Sequence, residues 1–138
     1  MAILEVPVTI NRHLLPESTL TRILRRTGLQ QRSRAFSYPL KPLWLRPSRC
    51  STYQMIAVIK RFMARYRNMP VVVLNMMFHS MEFMPGKSPY AMIERHCRNL
   101  LNRIERVLAY CKTKGISFAR LIDVYELYQS LHAPRTAL

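Results

Sequence analysis

The spacing of apolar residues changes several times along the chain, and each change marks an expected element. Residues 3–10 are rich in β-branched and apolar types without clean alternation, the pattern of a strand covered on both faces. Pro7 lacks a backbone donor, so that strand is expected at an edge or with a bulge there. Over residues 18–27 the period becomes helical. Leu20, Ile23, Leu24 and Thr27 share one face, Ser18 can cap the start, and Gly28 can end the helix in a left-handed conformation. Periodicity then lapses over residues 29–50. Pro39, Pro42 and Pro47 stand among serines, arginines and the isolated aromatics Phe36, Tyr38 and Trp44, which reads as an irregular basic surface loop.

The helical period returns at Ser51, which with Gln54 has the spacing of a capping box. Met55, Ile56, Ile59, Phe62, Met63 and Tyr66 follow at helical spacing with basic residues largely opposite, so this stripe is expected to face a core. After Pro70, residues 71–78 read as a buried strand that stops at His79. Ser88 as N-cap and Pro89 at the first helical position are expected to open a long helix. Its stripe is Ile93, Cys97, Leu100, Leu101, Ile104, Val107, Leu108 and Cys111, with Gly115 as its stop after Lys112 and Lys114. A short strand over 116–121 and a last helix to about Leu131 follow, with Asp123 and Glu126 at capping-box spacing. Strands alternating with helices predict an α/β fold with a parallel sheet. Three strands with four helices are few for such a sheet, so residues 1–138 read as a single, incomplete domain.

Composition narrows the picture. A chain of 138 residues fits one domain, and 49% hydrophobic residues suffice for a core. No apolar run approaches the ~18–20 residues of a membrane span. The first residues carry no basic group and meet Glu5 early, unlike a secretory leader, so a cytoplasmic location is expected. Cys50, Cys97 and Cys111 include no CxxC pair and are expected to be reduced, structural thiols. The formal charge of +15 invites a nucleic-acid or polyanion partner. The basic residues spread from Arg12 to Arg135 with no accompanying zinc-finger, leucine-zipper or RNA-binding aromatic pattern, so charge alone implies only non-specific polyanion binding at low salt. No GxSxG, P-loop or GxGxxG motif is present.

The polar cluster His79, Ser80, Met81 and Glu82 lies where α/β folds place their chemistry, just beyond a strand end. From Val73 through His79-Ser80, then Pro85-Gly86, to Ser88-Pro89-Tyr90, the chain resembles the last strand and loop of NodB-like polysaccharide deacetylases. It is most similar to the subgroup in which His-Ser follows the last core strand. Residues 4–9 resemble a mid-domain strand of that subgroup, and the stretches from Gly115 to Phe118 and from Asp123 to Leu127 its closing strand and helix. The likeness is weakest over residues 16–69.

The resemblance implies a partial parallel (β/α) barrel of the NodB-like deacetylase type, its C-terminal half only. In that family one aspartate and two histidines hold a divalent metal such as zinc, a second aspartate acts as base, and the histidine of a closing Leu-x-x-His motif protonates the leaving amine. His79 matches that histidine, and Met76 stands at the leucine that lines the acetyl pocket. Glu82 or Glu5 is expected to orient the His79 ring, with Glu82 preferred because its loop is local. The Asp-Asp motif, the histidine pair and Arg-x-Pro-Tyr have no counterpart. The one aspartate is Asp123, and His13, His79, His96 and His132 show no i, i+4 pairing. The expected function is that of a C-terminal fragment of a polysaccharide deacetylase-like carbohydrate hydrolase. It is expected to be inactive alone, to hold no cofactor, and to meet a polysaccharide substrate only when an N-terminal half completes it. A small basic protein binding nucleic acid or another polyanion is the alternative.

Overall fold

The computed structural model describes residues 5–11 and 42–132, which leaves the helix expected over 18–27 outside the described residues. Two short strands, β1 (Ile10–Asn11) and β2 (Leu43–Trp44), pair antiparallel with Ile10 opposite Trp44 and Asn11 opposite Leu43. Three helices follow in order, α1 (Thr52–Arg65), α2 (Glu94–Thr113) and α3 (Leu121–His132), with a 3₁₀ turn (Ser80–Phe83) between α1 and α2. Among the described residues this two-stranded sheet is the only one, and no barrel closes.

Helix α1 starts as its sequence requires. Ser51 Oγ accepts from the Gln54 N–H at 3.3 Å and Gln54 Oε1 accepts from the Ser51 N–H at 2.8 Å, completing both halves of the capping box. Its first turns bury Met55, Val58 and Ile59, whereas Met63 and Tyr66 at the far end of the stripe are exposed. Helix α2 supplies Val107 and Cys111 to the same core, joined by Leu43, Leu45 and Cys50. A second, smaller cluster holds Ala91, Cys97 and Leu100. Ile93, Leu101 and Leu108, also expected in the α2 stripe, are exposed. A 3.6-residue period places neighbours on one side of a helix without saying how wide the covering partner is.

Ser88 and Pro89 do not open α2. Ser88 Oγ accepts from the Tyr90 N–H at 3.3 Å and its carbonyl from the Ala91 N–H at 3.0 Å, so the pair heads a tight turn, and Ile93 is the N-cap. The fixed φ of proline suits the second position of a turn as well as the first position of a helix. The end of α2 follows expectation. The Gly115 N–H bonds the Lys112 carbonyl at 3.1 Å and the Ile116 N–H bonds the Cys111 carbonyl at 3.0 Å, with Gly115 at φ +68°. That is a Schellman ending, and Ile116 packs back against the core.

Three other expectations are corrected. Residues 71–78 are mostly half-buried and take no regular secondary structure, joining no strand ladder. Their hydrogen bonds instead enter a junction of three segments: the Thr9 N–H donates to the Asn75 carbonyl at 3.1 Å, Leu45 to Thr9 at 2.9 Å, and Met77 to Leu45 at 3.1 Å. The Asn75 N–H is taken by the Thr9 side-chain Oγ1 at 2.9 Å, which displaces regular pairing. Residues 116–120 form no strand, and α3 begins at Leu121 with Asp123 inside its first turn. Asp123 reaches back to accept the Arg120 N–H at 2.7 Å, half of a capping box seen from the third position. Of the surface loop expected over 29–50, residues 29–41 lie outside the described residues, and within 42–50 Leu43, Leu45, Arg46, Pro47 and Cys50 are buried.

Helix α3 stands apart. It buries no residue and touches no other helix or strand among the described elements. Among the described residues, no helix is long and apolar enough to cross a membrane.

Candidate functional site

The three-segment junction fixes the approach to His79. Met77 is bonded to Leu45, and two residues later His79 caps the 3₁₀ turn in an extended conformation, φ −108° and ψ 143°. Its carbonyl accepts the Glu82 N–H at 2.9 Å. The imidazole belongs to an exposed residue, whereas Glu82, one turn on, is 1% exposed. Phe83, the last residue of the turn, packs against the Ala91, Cys97 and Leu100 cluster and meets the exposed Phe78 ring edge-to-face with centroids 5.4 Å apart.

Burial of Glu82 demands a partner, and Arg46 supplies it. Arg46 Nη2 donates to Glu82 Oε1 at 2.7 Å across 36 residues of sequence, a buried charge-assisted hydrogen bond. Arg46 Nε donates to Ser48 Oγ at 3.0 Å, and its guanidinium lies 5.6 Å from the centroid of the Tyr90 ring. The Arg49 guanidinium lies at the same distance from that ring. Glu82 Oε2 has no hydrogen-bond partner. Removing one member of such a pair strands the other charge in the interior and typically costs about 3–5 kcal/mol.

The expected site residues are thus separated. His79 and Glu82 share one turn, but the Glu82 carboxylate is turned inward to Arg46. Glu5 is exposed on the first segment, and neither acid hydrogen-bonds the His79 ring. Met76 is half-buried and packs against the main core. Arg46 is the residue that sequence reasoning missed. Its signal was a single charge enclosed by Leu43, Trp44, Leu45 and Pro47, an apolar setting in which a guanidinium needs a counter-ion.

Among the described residues no three His, Cys, Asp or Glu side chains converge, and one oxygen of Glu82 is committed to Arg46. His96 is exposed while Cys97 is buried beside Leu100, and the His132 ring stacks on Tyr128 at 4.1 Å. All three cysteines are free and buried, and burial pushes the Cys50 and Cys111 thiols above their ordinary value. For Cys50 the Trp44 backbone hydrogen bond and the Arg103 charge oppose that rise in part.

The positive charge has a local surface expression. Lys60, Arg61, Arg65 and Arg67 are exposed along and just beyond the outer side of α1. Comparison with family models, with curated proteins and with solved structures returns no match. The likeness to NodB-like deacetylases therefore stands on its motif residues.

Proposed function

We propose that this chain carries the leaving-group side of a polysaccharide deacetylase-like carbohydrate hydrolase, with His79 as its general acid. The metal-binding side would come from polypeptide outside these 138 residues, and the chain alone is inactive. The observation that supports this most directly is an exposed histidine at the head of a turn anchored by a buried ion pair. Such an imidazole is free to meet a ligand while its backbone is held. In this reading His79 gives its proton to the sugar nitrogen as the carbon–nitrogen bond of the tetrahedral intermediate breaks, so that a neutral amine departs.

The test joins the chain to the upstream half of a homologous domain and assays acetate release from acetylated oligosaccharides. Activity should return, and His79→Ala should lower kcat by roughly 10²–10⁴-fold, the usual contribution of a positioned general acid, with metal content unchanged. Unchanged turnover, or loss of the metal in that variant, refutes the assignment. The exposed basic side of α1 favours a second reading, a polyanion-binding surface. Binding that persists at physiological salt with preference among nucleic-acid sequences would support that reading instead.

A further inference from the structure

We propose that Arg46 is the positioning residue for His79, acting through Glu82. This rests on the functional reading above only for its catalytic meaning; the geometry stands by itself. Two consecutive residues, Leu45 and Arg46, hold the chain on both sides of the histidine. The Leu45 carbonyl accepts the Met77 N–H at 3.1 Å, two residues before it. The Arg46 guanidinium holds Glu82 Oε1 at 2.7 Å, three residues after it. The intervening backbone is closed by the bond from the Glu82 N–H to the His79 carbonyl at 2.9 Å. His79 is thereby suspended between two anchors set on one short, buried stretch of chain.

Arg46 is itself fixed. Its Nε is bonded to Ser48, Tyr90 lies against its guanidinium, and Arg103 Nη1 donates to the carbonyl of the next residue, Pro47, at 2.8 Å. A planar guanidinium with several directed donors can be locked in this way, whereas an ammonium presents a rotating point charge. The anchor therefore depends on arginine and not only on a positive charge. A buried ion pair is by itself weak evidence of stability. A carboxylate placed in the interior with one oxygen unsatisfied is a poor stabilising device, and an apolar pair of similar volume is often as stable or more so. What the ion pair adds over an apolar contact is direction.

The experiment uses the full 138-residue chain and needs no substrate. Amide hydrogen exchange and ¹⁵N relaxation are measured for Arg46→Met, Arg46→Lys and the apolar double variant Arg46→Met with Glu82→Leu. In Arg46→Met the Glu82 amide should exchange at least about tenfold faster, with His79 showing added backbone motion, while the buried amides of α1 and α2 change far less. Arg46→Lys should recover the thermal midpoint better than the local protection. The double variant, which leaves no stranded charge, should regain a near-native midpoint while His79 stays loosened, and it keeps the test informative if the single variants fail to fold. Native-like protection and relaxation at His79 and Glu82 in the double variant would overturn the proposal, as would uniformly faster exchange throughout the Arg46→Met protein. Either result leaves the deacetylase assignment standing, because that assignment falls only with the His79→Ala assay.

Discussion

Asn75 and Val6 are joined across 69 residues of sequence by one hydrogen bond, Asn75 Nδ2 donating to the Val6 carbonyl oxygen at 2.8 Å. The same asparagine gives its backbone N–H to Thr9 Oγ1 and accepts the Thr9 N–H. The Asn75 and Thr9 side chains thus take the place of the ladder that a regular strand pair would have formed. Asn75→Ala should destabilise the chain by about 1–2 kcal/mol, the usual cost of leaving a partly buried backbone acceptor unmade. Asn75→Asp should cost more, since a carboxylate would face a carbonyl oxygen. Urea unfolding followed by far-ultraviolet circular dichroism measures both, and an unchanged midpoint for Asn75→Asp would contradict the stated geometry.

Gly115 should tolerate side chains according to backbone preference and not space. Its φ is +68°, and a Cβ added there meets nothing within 4 Å. Gly115→Ala should therefore cost about 1 kcal/mol, and Gly115→Asn less, because asparagine visits the left-handed region more readily than alanine does. Equal stability of the two variants in thermal unfolding would count against a purely conformational origin.

The buried thiols set an alkaline limit. Burial holds Cys50 and Cys111 protonated above their ordinary value of 9.0. In the unfolded chain these thiols ionise at the ordinary value, so above it the unfolded state binds fewer protons than the folded one. Stability is then fully present below about pH 9 and falls as pH rises through the unfolded value towards the folded one. The thermal midpoint should drop more steeply above that pH in the natural chain than in a Cys50→Ala, Cys111→Ala double variant. Parallel slopes would show that these thiols carry no linkage.

Charge makes a separate prediction. A chain of net charge +15 should be retained by heparin or duplex DNA at low ionic strength and released as salt rises. Replacing Arg61, Arg65 and Arg67 with glutamine should lower the salt concentration of elution more than replacing three basic residues scattered elsewhere. Equal effects would mean that the exposed side of α1 is not a focus of binding.

Local signals were legible in the sequence and long-range ones were not. The Ser51 cap, the Gly115 stop and the buried first half of the α1 stripe all follow from interactions within a few residues. Ser88-Pro89 misled because a turn and a helix start make the same local demand. Residues 43–47 were misread because prolines and an arginine conceal an apolar run that the core then buries. His79 was expected at the end of a strand that does not form, and the orientation of Glu82 was not readable. Proximity in sequence pointed its carboxylate at the histidine, whereas burial required a cation, and the cation lies 36 residues away.

Among the described residues α3 packs against no other element, so what stabilises it there is local. Twelve residues are near or below the length at which a helix persists in water without help, and α3 shares no packed face with α1 or α2. It is held by local devices: the Arg120–Asp123 contact at its start, which keeps the Asp123 carboxyl below its usual range, and the Tyr128–His132 stack at its end. Its coil-to-helix equilibrium should run almost independently of the core formed by α1 and α2. On warming, α3 should unwind before the core feels the heat, and cleavage between 116 and 120 should remove it as a separable appendage while the main unfolding transition stays where it was.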